Sequence, residues 1–255
     1  MFANERQYEI LSLLRADGAV SAADLAARFG VSVETVRRDL LQLEKQGHVQ
    51  RVHGGAVLPG KLVPISRLDQ RVEENRSGKL ELSETAAQLV DNGDVIYIDS
   101  GATAHYFAGV LKKRLRKLTV ITHSQDVFDI LHDCDGFELI LCGGHYMKEE
   151  RVFYGYLAQE SLKQLYADKA FLFASAVSIQ GGVCDFSQEL VGLQKQIMSQ
   201  CGQVYLLADS QKFERRGLYR LCGADSFRGI VTDTGLSLPL RKLYTEKGIN
   251  IIIGE

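Results

Sequence analysis

Seven short apolar runs punctuate the chain: VIYIDSG (95–101), LTVITHS (118–124), FELILCGG (137–144), AFLFASAVS (170–178), VYLLADS (204–210), GIVTD (229–233) and INIII (249–253). They are rich in β-branched and aromatic residues, lack polar alternation, and are separated by helix-length segments. Strands that are apolar on both faces belong in a parallel sheet covered by helices on each side. The sequence predicts an α/β domain with a mostly parallel sheet over 76–255.

The pattern changes upstream. Pro59 and Pro64, two of three prolines, fall within LPGKLVPIS (58–66), where helical periodicity stops. This predicts a small helical domain over 1–58 and a linker over 59–75, a division that suits 255 residues. The charged stretch 66–90 reads as helix. Leu82, Ala86 and Leu89 give its second half a sheet-packing stripe, and its first half is expected to bridge the domains.

Residues 5–15 place Ile10, Leu11 and Leu14 on one helical face, ended by Asp17-Gly18. SAAD (21–24) has the form of a capping box, with Ser21 as N-cap of a second helix that stops near Phe29-Gly30. A third helix starts near Ser32, with Val33, Val36, Leu40 and Leu43 on one stripe. Leu41 falls outside that stripe and is expected to meet the first helix or the following hairpin. GHVQRVHGGAV (47–57) then reads as a hairpin, with Val49 and Val52 inward and Arg51 and His53 outward.

Two short helices joined by a tight turn form a helix-turn-helix, whose second helix fits the major groove of DNA. Arg37 and Arg38 suit phosphate or guanine; Ser32 and Thr35 suit phosphates or base edges. Glu34 and Arg38, four apart, also fit a solvated helix face with one ion pair. Charge does not decide between these readings, because residues 1–58 hold seven basic and seven acidic side chains and the whole chain carries −2.

A pattern of fixed positions does decide. Arg6, Ile10 and Leu14, then Ser32, Thr35, Val36, Arg37, Arg38, Asp39 and Leu40, with HGGAV (53–57) closing the unit, resemble the DNA-binding domain of DeoR-type bacterial repressors. The resemblance implies double-stranded operator DNA as partner, with Ser32, Glu34, Thr35, Arg37, Arg38, Arg51 and His53 as the DNA-facing set. One helix-turn-helix reads few bases, so a homodimer or homotetramer is expected.

In the larger domain, Asp99-Ser100-Gly101 ends a strand just before a helix that starts near Thr103. Small residues at such a turn either serve its geometry or let backbone N–H groups meet an anion at the helix N-terminus. Thr122-His123-Ser124, Gly143-Gly144 and Asp209-Ser210 end other strands, and such turns can converge on one crevice.

Lys79, IDSGAT (98–103), THS (122–124), LCGG (141–144), DKAF (168–171), Gly181-Gly182 and LADSQKF (207–213) resemble the sensor domain of the same repressors, whose fold is similar to ribose-5-phosphate isomerase. The resemblance implies a phosphorylated sugar as effector. Ser100, Gly101, Ala102 and Thr103 would surround the phosphate and Lys79 or Lys212 would offset its charge. Asp99 and Asp209 would accept sugar hydroxyls or brace their turns, and His123, Ser124, Gly143 and Gly144 would complete the site.

The chain departs from the family at His123, at Ala102, at Ser175 and Ala176 in place of an acid and a glycine, and at Val191 in place of an acid. The alternative reading is a sugar-phosphate isomerase or deaminase with an appended DNA-binding domain. That chemistry needs a carboxylate base, and FASAVS (173–178) has none; Asp185 and Glu189 read as surface or capping residues. The expectation is a non-enzyme.

Cys142 and His145 lack a second pair of metal-ligand spacing. With no GxSxG, Walker loop or GxGxxG, no cofactor, metal or catalytic residue is expected. Five scattered cysteines without a CxxC pair suit a reducing cytoplasm. No stretch reaches the roughly 18 apolar residues of a membrane span, so no membrane partner is expected.

Overall fold

A computed structural model describes residues 2–17, 19–52, 55–58 and 67–254. His53 and the stretch 59–66 of the expected linker lie outside the described residues. The N-terminal unit comprises α1 (Ala3–Asp17), β1 (Ala19–Ser21), α2 (Ala22–Phe29), α3 (Val33–Lys45), β2 (Gln50–Val52) and β3 (Gly55–Val57). The Ser21 hydroxyl caps α2 by accepting from the Asp24 N–H at 3.3 Å. Gly30 ends that helix in the left-handed region at φ 64°, where a side chain would be strained.

Ile10, Leu14, Leu25, Val36, Leu40, Leu43 and Val49 form this unit's apolar core. Two features differ from expectation. Residues 19–21 add a third strand, so that β3 lies between β1 and β2. Leu41 is exposed rather than packed on α1 or the hairpin. It follows Arg37 and Arg38 by four and three residues, which turns it to their face of the helix, away from the core.

The larger unit runs α4 (Leu68–Glu73), α5 (Arg76–Ala87), β4 (Val95–Ile98), α6 (Ala102–Arg114), β5 (Leu118–Thr122), α7 (Gln125–Leu131) and β6 (Phe137–Leu141). There follow β7 (His145–Met147), β8 (Val152–Tyr154), α8 (Tyr156–Lys163), β9 (Ala167–Phe173), β10 (Ala176–Ser178), β11 (Gly182–Asp185) and α9 (Gln188–Met198). The last elements are β12 (Cys201–Leu207), β13 (Tyr219–Cys222), β14 (Gly229–Thr232), α10 (Leu238–Glu246) and β15 (Ile251–Ile253).

All seven apolar runs supply strands to one parallel sheet, ordered β15-β14-β12-β9-β4-β5-β6. Alternate residues face opposite layers. Ile96, Ile98, Phe171 and Phe173 pack under α5, α6 and α7; Tyr97, Ala170 and Leu172 pack under α8, α9 and α10. From β4 the chain proceeds outward to β5 and β6, and from β9 it proceeds the other way to β12, β14 and β15. The β4–β9 pair is therefore the topological switch point, outside whose carboxyl ends ligands of open α/β sheets bind.

Two expectations are corrected here. AFLFASAVS does not continue as one strand: β9 stops at Phe173, and Ala176–Ser178 joins a separate antiparallel sheet with β11 and β13. The described part of the stretch 66–90, residues 67–90, holds two helices, broken where Asn75 takes φ 43°. The first of them, α4, packs on α6 instead of bridging the domains, and the Tyr106 hydroxyl donates to the Val72 carbonyl at 2.9 Å. The units meet elsewhere. β1 packs against α10, and Val57 of β3 is buried in the apolar cluster of the larger unit.

Candidate DNA interface and effector cleft

The interface begins with a capped helix. Ser32, extended at φ −70°, receives the Thr35 N–H on its hydroxyl at 3.1 Å, and the two hydroxyls lie 2.8 Å apart. Capping fixes the first turn of α3, and its buried stripe of Val36, Asp39, Leu40 and Leu43 fixes which way the helix faces. Glu34, Arg37 and Arg38 are left outside, with the arginine side chains 61% and 80% exposed.

Both arginines approach Glu34 at 3.8 Å. Exposed pairs at that distance contribute little, so the guanidinium groups are available to a polyanion. Asp39, from the same motif, does not face out. It is buried against Arg6 at 2.8 Å and so orients α3 on α1. The Arg51 side chain is partly exposed on the wing, its guanidinium 4.0 Å from Glu44 Oε2, while its main-chain N–H donates to Glu44 Oε1 at 2.8 Å.

The second site is a cleft of about 440 Å³, open to solvent, at the β4–β9 switch point. One wall is the turn Ser100–Thr103. Gly101 precedes α6 at φ 127°, ψ 175°, backbone that only glycine adopts without strain. Its carbonyl accepts from the His105 N–H at 3.3 Å. The earlier N–H groups of the first turn have no intrahelical acceptor and present their dipoles to the cleft.

Lys79 of α5 and Lys212 border the same space. Lys79 is buried and donates to the Glu74 carbonyl. Burial lowers its pKa, against the opposing pull of Asp209. The opposite wall holds Ser175 after β9, Asp185 at the end of β11 with Phe186 just beyond it, and Arg71 with Glu150. Arg71 grips Glu150 through both terminal nitrogens, Nη1 and Nη2, at 3.0 and 2.5 Å, and lies over the Phe186 ring at 5.3 Å.

Beneath the cleft runs a buried polar chain. The Ser175 hydroxyl and the Phe186 N–H donate to Asp185 Oδ1, both at 2.7 Å. Gln194 Nε2 donates to Asp185 Oδ2 at 2.9 Å and to Asp99 Oδ2 at 2.8 Å. Burial raises the Asp99 pKa to about 7 and that of Asp185 above the usual carboxylate range. His123 Nε2 lies 3.7 Å from Asp99 Oδ1, and neither atom has a hydrogen-bond partner among the described residues. Burial lowers the His123 pKa to about 4, which keeps the imidazole neutral, and its Nδ1 pairs with the Tyr97 hydroxyl at 2.8 Å.

Six of the twelve expected effector residues therefore line the cleft: Lys79, Ser100, Gly101, Ala102, Thr103 and Lys212. Asp99, His123, Ser124 and Asp209 are buried supports. Ser124 caps α7 through the Val127 N–H at 3.3 Å, and Asp209 accepts from the Gln211 N–H at 3.1 Å. Gly143 and Gly144 lie elsewhere. A Cβ at Gly144 would stand 2.5 Å from the Tyr154 carbonyl oxygen, so that glycine admits the β7–β8 hairpin.

Asp185 is the chief omission of the sequence reading. It is buried in the cleft wall, neither at the surface nor a cap, and it faces Ser175, where the family's acid is missing. Arg71, Glu150 and Gln194 were missed as well. His105, at the first turn of α6, pairs with Asp126 at 2.9 Å outside the cleft. Among the described residues no group of His, Cys, Asp and Glu could hold a metal, and no helix is long and apolar enough to cross a membrane.

The chain matches the DeoR-like helix-turn-helix domain over residues 6–61 and the DeoR C terminal sensor domain over 74–234. It is 32% identical to the lactose phosphotransferase system repressor of Lactococcus lactis, over 91% of each chain. It is 29% identical to the L-fucose operon activator of Haemophilus influenzae, over 98% of this chain and all of that one. Among solved structures it is similar to ribose 5-phosphate isomerase A from Methanocaldococcus jannaschii, with 20% identity, 55% of each chain covered and a TM-score of 0.42. The chain belongs to the DeoR family of DNA-binding transcription regulators.

Proposed function

We propose that this regulator represses carbohydrate-metabolism genes by lodging α3 in the major groove of an operator, and that a phosphorylated sugar in the switch-point cleft sets the grip. The observation that carries the effector reading is convergence. The open N-terminus of α6, Lys79 and Lys212 meet on one side of a cleft whose other side offers Ser175, Asp185 and Glu150. A phosphate carrying about −1.5 to −2 charge suits the first side, and sugar hydroxyls suit the second. Relatives named for a lactose phosphotransferase system and an L-fucose operon support a carbohydrate signal.

On the DNA side, Thr35, Arg37 and Arg38 contact the duplex, Ser32 holds the helix start, Glu34 spaces the arginines, and Arg51 lies at the wing. One such unit covers a half-site, so a homodimer or homotetramer reads a symmetric operator. The protein acts in the cytoplasm without turnover. Asp185 in the cleft is the one feature that favours the isomerase alternative, but three donors already hold its carboxylate.

Selection of bound duplexes from random DNA, followed by a thermal-shift screen of pentose 5-phosphates and hexose 6-phosphates, tests both halves. A selected palindrome and a phosphosugar that raises the midpoint of the wild type, but not of Lys212→Ala, are expected. Failure to select any sequence, or turnover of ribose 5-phosphate lost in Asp185→Ala, would refute the reading.

A further inference from the structure

We propose that the β10–β11 hairpin is the lever by which the state of the cleft reaches the DNA-binding unit; this deepens, and rests on, the reading of the cleft as the effector site. At its base the hairpin carries Ser175, just before β10, and Asp185, the last residue of β11, joined at 2.7 Å within the cleft wall. At its tip Gln180 Nε2 donates to the main-chain carbonyl of Arg51 on β2, 2.7 Å away and 129 residues earlier. Five residues at about 3.3 Å each place base and tip about 16 Å apart.

Between its ends the hairpin is built to move as one body. Every residue of β10 and β11 is buried, and Val177 and Val183 lie in the same apolar cluster as Val57 of the wing. The tip is tied by the Gly181 N–H on Ser178 Oγ at 3.0 Å and by Arg220 Nε on the Gly181 carbonyl at 3.2 Å. A second route leaves the same hairpin. The Ile179 N–H and the Tyr244 hydroxyl both donate to Glu214 Oε1, at 3.3 and 2.6 Å, and Tyr244 lies on α10, which packs against β1. The hairpin thus touches both outer strands of the winged sheet, directly at β2 and through Glu214 and α10 at β1. A ligand hydroxyl competing for Asp185 or Ser175 acts on its base.

The test is a double-mutant cycle on the full chain without ligand, reading the affinity for a duplex selected from random DNA. Asp185→Asn is expected to change operator Kd by at least about 5-fold, the lower end of ordinary coupling between sites. In a Gln180→Ala, Tyr244→Phe background, which cuts both routes, the same change should alter Kd by less than about 2-fold. Ser175→Ala serves in place of Asp185→Asn if that variant does not fold. An unchanged Kd on altering the base, or the same shift in both backgrounds, would overturn the proposal. Because no ligand enters the cycle, failure of the phosphosugar reading appears separately, as absence of binding to the wild type.

Discussion

The Arg6 guanidinium of α1 donates to the Asp39 carboxylate of α3 through Nε at 2.8 Å and Nη2 at 3.3 Å, with both side chains nearly buried. Gln7 adds a donor to the same carboxylate at 3.5 Å. One short stretch, Arg37-Arg38-Asp39, thus holds two kinds of residue: the arginines face out, and the aspartate fixes the helix that carries them. Breaking a buried pair by removing one partner typically costs about 3–5 kcal/mol. Asp39→Ala should therefore lower the denaturant midpoint by a corresponding amount and weaken DNA binding only through lost structure.

Arg38→Ala should behave oppositely. Its side chain is 80% exposed, and its pair with Glu34 at 3.8 Å contributes little, so the thermal midpoint should hardly move. Operator affinity should fall by about 1–3 kcal/mol, the range of a lost base or phosphate contact. Anisotropy titration alongside calorimetry checks both; an unchanged affinity would remove Arg38 from the interface.

Gly101→Ala should impair the cleft through backbone conformation alone. Its φ of 127° is closed to other residues, while the nearest atom to an added Cβ, Phe173 Cβ, is 3.9 Å away. A cost of about 1–3 kcal/mol is expected in stability, together with loss of any phosphosugar-induced thermal shift. Retention of that shift would place the anion elsewhere.

Asp99 and His123 pull stability in opposite directions with pH. Asp99 has a folded pKa of about 7 against an ordinary 3.8, so its contribution is full below about 4 and is lost as pH rises through 7. His123, lowered from 6.5 to about 4, contributes fully above 6.5 and loses that contribution as pH falls through 4. Between pH 4 and 6.5 the two largely offset. His123→Gln should expose the Asp99 effect, giving a stability that falls by about 3 kcal/mol from pH 4 to 7. Chemical denaturation at stepped pH reads this directly, and a flat profile in the variant would contradict it.

The main sheet was legible because its strands are buried on both faces and so read as continuous apolar runs. The caps at Ser21 and Ser32 were legible because capping is local chemistry. Residues 19–21 were not, since three residues carry no period. Nor was the break after Phe173: Ala174, Ser175 and Ala176 carry no glycine or proline to mark a turn, and only the pairing of β10 with β11 sets it. Half the cleft was readable from the turn after β4. The other half depends on distant partners, Arg71 with Glu150 and Asp99 with Gln194, separated by 79 and 95 residues. The charged texture around Arg71 and the acid ending the GGVCD run were the available signals, and neither specifies a partner.

The most direct measurement is operator affinity of the full chain with and without a saturating phosphosugar from the thermal-shift screen, repeated in Lys212→Ala. A change of about 5–150-fold is expected in the wild type and is expected to vanish in the variant at the same ligand concentration, with ligand-free affinity preserved. Equal affinity in the two wild-type titrations would contradict the account, because a cleft that does not alter the hold of α3 on DNA is not its sensor.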